Sequence, residues 1–299
     1  MLKRTLHFGN PAHLSRSKEQ LIIQLKDEFK TTKSVPIEDI GMIVLEHTEI
    51  TLTTALLETL LQNQVAVVTC DAKYMPAGIF LPLDAHNVQT ERMHTQITAS
   101  QPLKKQLWQQ TVKAKIHNQA RLLEHMGENG KRLHLLKEKV RSGDPQNYEA
   151  QAAAYYWSTI YGNTFTRARE LTSPNAQLNY GYAILRSIVA RALTASGMLP
   201  SFGIFHRNKY NAFCLADDIM EPYRPYVDWI VLSMELPTKD DEGLSREQKI
   251  ELLKLPQMDV EINELKRPLG HAVSITTASL FRCFDGEQRK IIYPEFNVE

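Results

Sequence analysis

Cysteine is scarce in this 299-residue chain: Cys70, Cys214 and Cys283 stand far apart and no CxxC pair exists. A disulfide framework and a zinc cluster built on thiolates are thereby excluded. Nowhere do 18 apolar residues run together, and the opening MLKRTLHFGNP holds no apolar stretch of signal-peptide length. A soluble, cytoplasmic protein without membrane contact is therefore expected. GxxxxGK[ST], GxGxxG, HExxH and GxSxG are all missing, which counts against nucleotide-driven motors, Rossmann dehydrogenases, zincin proteases and α/β-hydrolases. There is no overall excess of one charge either: 35 Lys and Arg against 34 Asp and Glu leave +1. Hydrophobic residues at 43% and charged ones at 23% exclude wholesale disorder and fibrous repeats. A chain of this length usually splits into two domains.

What is present begins β-rich. In EQLIIQL, Leu21, Ile23 and Leu25 alternate onto one face, the period of a half-buried strand. DIGMIVLE (39–46) and VAVVTCD (65–71) read as further strands. Between them Leu52, Leu56, Leu57 and Leu60 fall at helical spacing, with Thr51 placed to cap that helix. The proline-bearing YMPAGIFLPLDAHN (74–87) marks a boundary. Beyond it apolar residues recur three and four apart through Leu103, Leu107, Val112, Ile116 and Leu122–Leu123. Asp144-Pro145 reads as an N-cap followed by proline at the first helical position. Helices are further expected over 146–160, 175–197, 210–234, 245–254 and 270–284. The expected fold class is α+β: a small β-rich N-terminal domain over 1–84, then a larger all-α domain over 85–299.

Charge is sorted unevenly along the helical part. Residues 104–141 carry ten Lys/Arg against three glutamates, and 167–209 carry six against Glu170 alone, while 235–264 hold nine acids against four bases. Such runs serve either as solvated helix faces or as a surface that tracks phosphates. One segment concentrates chemistry: FGIFHRNKYNAFCLADDIMEPYRPYVD (202–228) places His206 ahead of Asp217, Asp218 and Glu221. On a helix an aspartate and Glu221, three or four apart, share a face. Imidazole with carboxylates suits Mn²⁺ or Mg²⁺, and such a site beside basic faces suits phosphoryl transfer. Equally, ADDIMEP reads as a helix start whose acids meet the macrodipole, and His206 as an ordinary buried or capping histidine. Glu149, in DPQNYEAQAAAYYW (144–157), falls in the first turns of a helix where glutamate is common. Tyr155, Tyr156 and Trp157 read either as core or as stacking platforms for splayed bases.

NYEAQAAAYYW and FGIFHRNKYNAFCLADDIMEPYRPYVD, with the opening MLKRTLHFGNPAHLS and the block EDIGMIVLEHTEITLTTALLETLLQNQVAVVTCD, closely resemble the signature segments of CRISPR-associated protein family one, the spacer-acquisition integrases. The form is most similar to the type II branch, and the resemblance is weakest over 235–264. It implies a β-rich dimerisation domain, an all-α metal-binding catalytic domain and one Mg²⁺ or Mn²⁺ ion. The ligands it implies are Glu149, His206 and Glu221, the last by its spacing from the histidine (221 − 206 = 15). Asp217 and Asp218 are kept as further or alternative ligands, and Lys209, Arg207 and Arg224 as DNA-binding residues. The implied activity is metal-dependent transesterification, in which a protospacer 3′-hydroxyl attacks the repeat boundary of the CRISPR array, together with metal-dependent DNA endonuclease activity. The implied partners are DNA, a second copy of the chain and CRISPR-associated protein two, with the type II effector nuclease and other adaptation proteins as further candidates. Two rival classes stay open: a structure-selective endonuclease acting on branched DNA, and a non-catalytic DNA-binding assembly protein.

Overall fold

The computed structural model describes residues 3–29, 31–168, 172–235 and 244–297. Arg169 and Glu170 of the second basic run, and residues 236–243 of the acid-rich stretch, lie outside the described residues. The chain divides into two compact units, Met1–Ala85 and His86–Glu299.

The first unit contains β1 (Arg4–Phe8), β2 (Ala12–Ser17), β3 (Gln20–Leu25), β4 (Thr32–Pro36), β5 (Ile40–Leu45), β6 (Thr51–Leu52), α1 (Thr54–Gln62), β7 (Ala66–Cys70) and β8 (Pro76–Phe80). One sheet has the order β1-β5-β7-β8, parallel except for β8; the other has the order β4-β3-β2-β6. Leu21 and Ile23 of β3 are buried beside Leu14, Ile43 and Val67, with Leu56 and Leu60 of α1 closing one core. The cap of α1 differs from the expectation: Thr53, not Thr51, accepts the Leu56 amide. Thr51 belongs instead to β6, paired with β2, and its hydroxyl meets the His13 ring at 2.8 Å.

The second unit carries α2 (Gln89–Thr98), α3 (Gln101–His125), α4 (Lys131–Lys139), α5 (Tyr148–Tyr161), α6 (Asn175–Ala195), α7 (Cys214–Met220), α8 (Arg224–Leu232), α9 (Arg246–Leu252), β9 (Asp259–Ile262), β10 (Leu265–Pro268) and α10 (Leu269–Asp285). No helix among the described residues is long and apolar enough to cross a membrane. The α+β class holds, but the second unit is not all-α: its described residues include a hairpin beside the helices. Asn263 and Glu264 both take positive φ (51° and 61°), the conformation of a two-residue hairpin turn, so β9 and β10 pair antiparallel. The single helix expected over 210–234 is two, α7 and α8, joined by a 3-10 turn at Glu221–Tyr223. Pro222 and Pro225 lack the amides that a continuous helix would need. Asp144 is likewise not an N-cap in the simple sense. The chain turns from Asp144 to Asn147, Asn147 caps α5, and the Asp144 carboxylate reaches forward to accept the Tyr148 and Glu149 amides at 3.0 and 2.9 Å.

Candidate functional site

Four segments of the second unit build the site: the middle of α3, the start of α5, the loop 203–213 and the α7–α8 junction. Ser100 caps α3 with Pro102 in its first turn. Trp108, Thr111, Val112, Lys115 and Ile116 recur on its inner face, all buried. Lys115 is therefore a cation in a row of core positions, a residue of the candidate site that the motifs did not single out. The signal was there: a lysine in register with Trp108 and Thr111 on the apolar stripe.

Lys115 Nζ lies 2.6 Å from Glu149 Oε1 and 2.6 Å from Glu221 Oε2. It donates a hydrogen bond to Glu149 and forms an equally short ion pair with the buried Oε2 of Glu221. Arg224 holds the other Glu221 oxygen at 2.9 Å and lays its guanidinium on the Tyr182 ring, 4.6 Å from the centroid. Burial alone would raise the Glu221 carboxyl, but Arg224 and Lys115 outweigh it and hold the group below the usual carboxylate range. Burial would lower the Lys115 ammonium, and Glu221 with Glu149 outweighs that in turn, so its pKa stands above the ordinary lysine value.

His206 follows a chain that must pass very close to α7. A Cβ on Gly203 would stand 2.4 Å from the His206 carbonyl oxygen and 2.7 Å from Asp218 Oδ2, so only glycine fits there. Asp218, fully buried, accepts from the Phe205 amide at 2.9 Å and meets His206 Nδ1 at 2.6 Å. In the neutral ring that contact places the proton on Nδ1 and leaves Nε2 the lone pair. The Asp218 hydrogen bond raises the imidazole pKa, burial opposes it, and the charges of Asp218, Glu221 and Glu149 carry it above the ordinary histidine value. Trp108 stacks on Phe205 with centroids 4.2 Å apart and meets the His206 ring edge-on, an apolar wall for the site. Asp217 points elsewhere, to Arg186 Nε at 2.6 Å and Asn211 Nδ2 at 2.7 Å.

The structure thus brings Glu149 and Glu221 to one cationic point, with His206 near enough to feel both charges. Asp218 orients the histidine, and Asp217 is engaged with Arg186. Among the described residues no three His, Cys, Asp or Glu side chains are grouped as metal ligands. The donor set nonetheless suits a hard divalent ion: two carboxylates converging on one positive charge, and an imidazole whose second nitrogen is free when the ring is neutral. Of the cations expected on DNA, Lys209 and Arg207 are exposed, Lys209 over the Tyr210 ring at 4.8 Å and Arg207 donating to Gln101. Arg224 is engaged with Glu221. Tyr156 is core: it is fully buried and donates to Asp228 at 2.8 Å.

The family model described as CRISPR associated protein Cas1 matches residues 7–238. A protein of Neisseria meningitidis serogroup C named CRISPR-associated endonuclease Cas1 is 44% identical over 236 residues, covering 78% of this chain and 76% of that protein. Among solved structures, a casposase bound to integration product superposes with a TM-score of 0.81 at 18% identity, over 99% of this chain and 95% of that one. A chain of a Cas6-RT-Cas1–Cas2 complex superposes with a TM-score of 0.74 at 19% identity, over 99% of this chain and 36% of that one. At these identities the two structures speak for the fold.

Proposed function

The chain belongs to the CRISPR-associated protein Cas1 family, and from that premise we propose that it is the integrase of CRISPR adaptation, a DNA strand-transfer enzyme with endonuclease activity. The observation that carries this reading is the convergence of Glu149 and Glu221 on one cationic point beside an imidazole whose Nδ1 is tied to Asp218. Glu149, Glu221 and Nε2 of His206 would hold one Mg²⁺ or Mn²⁺, which when bound lowers the pKa of an attacking hydroxyl and offsets charge on the phosphate oxygens. A protospacer 3′-hydroxyl attacks phosphorus at the repeat boundary; one phosphodiester forms as another breaks, and the displaced 3′-oxygen takes up a proton. No nucleotide is hydrolysed, in keeping with the missing phosphate-binding loop.

The chain's own residues do the rest. Asp218 keeps His206 in one tautomer. The Trp108–Phe205 stack lines one side with apolar surface, and exposed Lys209 and Arg207 hold backbone phosphates in register. The casposase that shares this fold is bound to an integration product, which supports DNA as substrate. The complex named above contains Cas2, which supports Cas2 as partner. Pairing of two copies through the β-rich first unit and a cytoplasmic location belong to this proposal, with a type II effector nuclease and other adaptation proteins as further candidate partners.

The test combines the purified protein, its Cas2 partner, Mn²⁺, a repeat-bearing supercoiled plasmid and labelled duplexes ending in a 3′-hydroxyl or a 3′-phosphate. Label should join the plasmid only from the 3′-hydroxyl form and should not join with Glu149→Ala or Glu221→Ala, while DNA binding survives. Nicked plasmid without joined label, equal for both ends, would leave the endonuclease reading in its place.

A further inference from the structure

The two carboxylates that this reading gives to a metal are already neutralised by the protein itself. Lys115 Nζ lies 2.6 Å from an oxygen of each, its side chain only 11% exposed between side chains of 21% and 5%. Arg224 adds a second cation to Glu221. Two negative and two positive charges therefore balance in a largely buried cluster. A divalent ion would take carboxylate oxygens at about 2.0–2.1 Å for Mg²⁺, which is the volume the ammonium fills. Placing two further positive charges beside a buried ammonium is unfavourable by the same electrostatics that move a neighbouring group's proton affinity by one to three orders of magnitude.

We propose that Lys115 is the resident counter-ion of this site: it holds Glu149 and Glu221 together in the metal-free protein, competes with the divalent ion for them, and yields when a phosphodiester arrives to take up its positive charge. The inference rests on the metal reading above. Its ammonium sits on a flexible four-carbon stem, so it can turn from carboxylate to phosphate without moving α3. The consequence is coupling. An ion alone meets a competing charge, whereas an ion arriving with DNA meets carboxylates whose counter-ion has a new partner. By reciprocity DNA must then also bind more tightly when the ion is present. Lys115 is a positioning residue in this account, and it keeps the metal-loaded, hydrolysis-competent state scarce until DNA is in place.

Electron paramagnetic resonance of free Mn²⁺ gives the affinity directly, without turnover. The titration is run on wild type, Lys115→Met, Lys115→Gln and Glu149→Gln, each alone and with a duplex whose 3′-phosphate ends cannot join. Wild type should gain about tenfold in Mn²⁺ affinity with the duplex. Both neutral variants should bind Mn²⁺ about tenfold more tightly than wild type without DNA, and gain less than about threefold on adding it. A merely structural lysine would give the opposite sign, since losing it would splay the ligands and weaken binding. Mn²⁺ binding in both neutral variants equal to or weaker than wild type overturns the proposal. Loss of binding in Glu149→Gln would show that the metal reading survives that result. If no protein in the set binds Mn²⁺, the metal reading falls and this inference falls with it. Circular dichroism in chelator checks folding, and the glutamine variant, which keeps a hydrogen-bond donor, stands in should the methionine variant not fold.

Discussion

Replacing Asp228 by asparagine should flatten the pH dependence of the second unit's stability on the acid side. The Asp228 side chain is buried at 2% exposure and accepts hydrogen bonds from the hydroxyls of Tyr156 and Tyr182. Burial is the strongest influence on it and pushes the carboxyl up to about 6, against the two tyrosines and the charges of Arg224 and Arg167. In the unfolded chain the same group titrates near ~3.9. The folded state thus holds the proton more tightly, so the stability it contributes is complete below about pH 4. That contribution fades as pH rises through about 6 and is absent above. Two units of difference correspond to ~3 kcal/mol in all, of which ~2 kcal/mol is lost between about pH 4.5 and 7.5. Asp228→Asn carries no proton to lose, and groups elsewhere cancel when the two proteins are compared at each pH. Trp108, Trp157 and Trp229 all lie beyond residue 85, so tryptophan emission during urea unfolding reports on the second unit alone. The wild-type advantage over the variant should shrink by ~2 kcal/mol across that range. Parallel stability curves for the two proteins would refute the assignment of an elevated carboxyl to this position.

Two further outcomes follow from packing and charge. A Cβ on Gly181 of α6 would stand 2.4 Å from Val227 Cγ1 and 3.0 Å from Leu252 Cδ2, so Gly181→Ala should destabilise the second unit by about 1–3 kcal/mol in the same urea assay; an unchanged midpoint would mean that α6 and α8 can separate freely. DNA affinity should fall log-linearly with salt, and Lys209→Ala or Arg207→Ala should each reduce that slope by about one while weakening all sequences evenly, whereas a salt response that neither variant alters would place the DNA on another face.

What could be read beforehand was whatever depends on local periodicity. The alternation of Leu21, Ile23 and Leu25 produced β3, and the three-and-four spacing from Leu103 to Leu123 produced α3. Errors fell where a tertiary partner outbid a local rule. Thr51 reads as a cap until β2 claims it as a strand; the break within 210–234, by contrast, follows a local rule, since Pro222 and Pro225 interrupt the helix there. The hairpin of β9 and β10 was hidden because its turn uses Asn263-Glu264 rather than a glycine pair, although Val260 and Ile262 alternate inward. In the site, Glu149, His206 and Glu221 were named from motifs, and the structure brings Glu149 and Glu221 together. Lys115 and Asp228 could not be named that way. Their partners lie 34 and 72 residues away in sequence, beyond the reach of motif spacing, although the register of Lys115 on the apolar stripe of α3 marks it out.

The aspartate doublet of α7 has a consequence for how this chain can change over evolutionary time. Asp217 and Asp218 are neighbours, yet one helical step turns them about 100° apart. Asp218 is thereby committed to His206 and the Phe205 amide, Asp217 to Arg186 and Asn211. Neither can substitute for the other, so the pair is not a redundancy that tolerates loss of one copy. Drift at 217 can be met by compensating changes at two side chains, Arg186 and Asn211, whereas position 218 answers to a backbone amide that no substitution can move. A single-residue insertion between His206 and the doublet would carry Asp217 into the place of Asp218 before the imidazole, while leaving an alignment of acidic residues that looks intact.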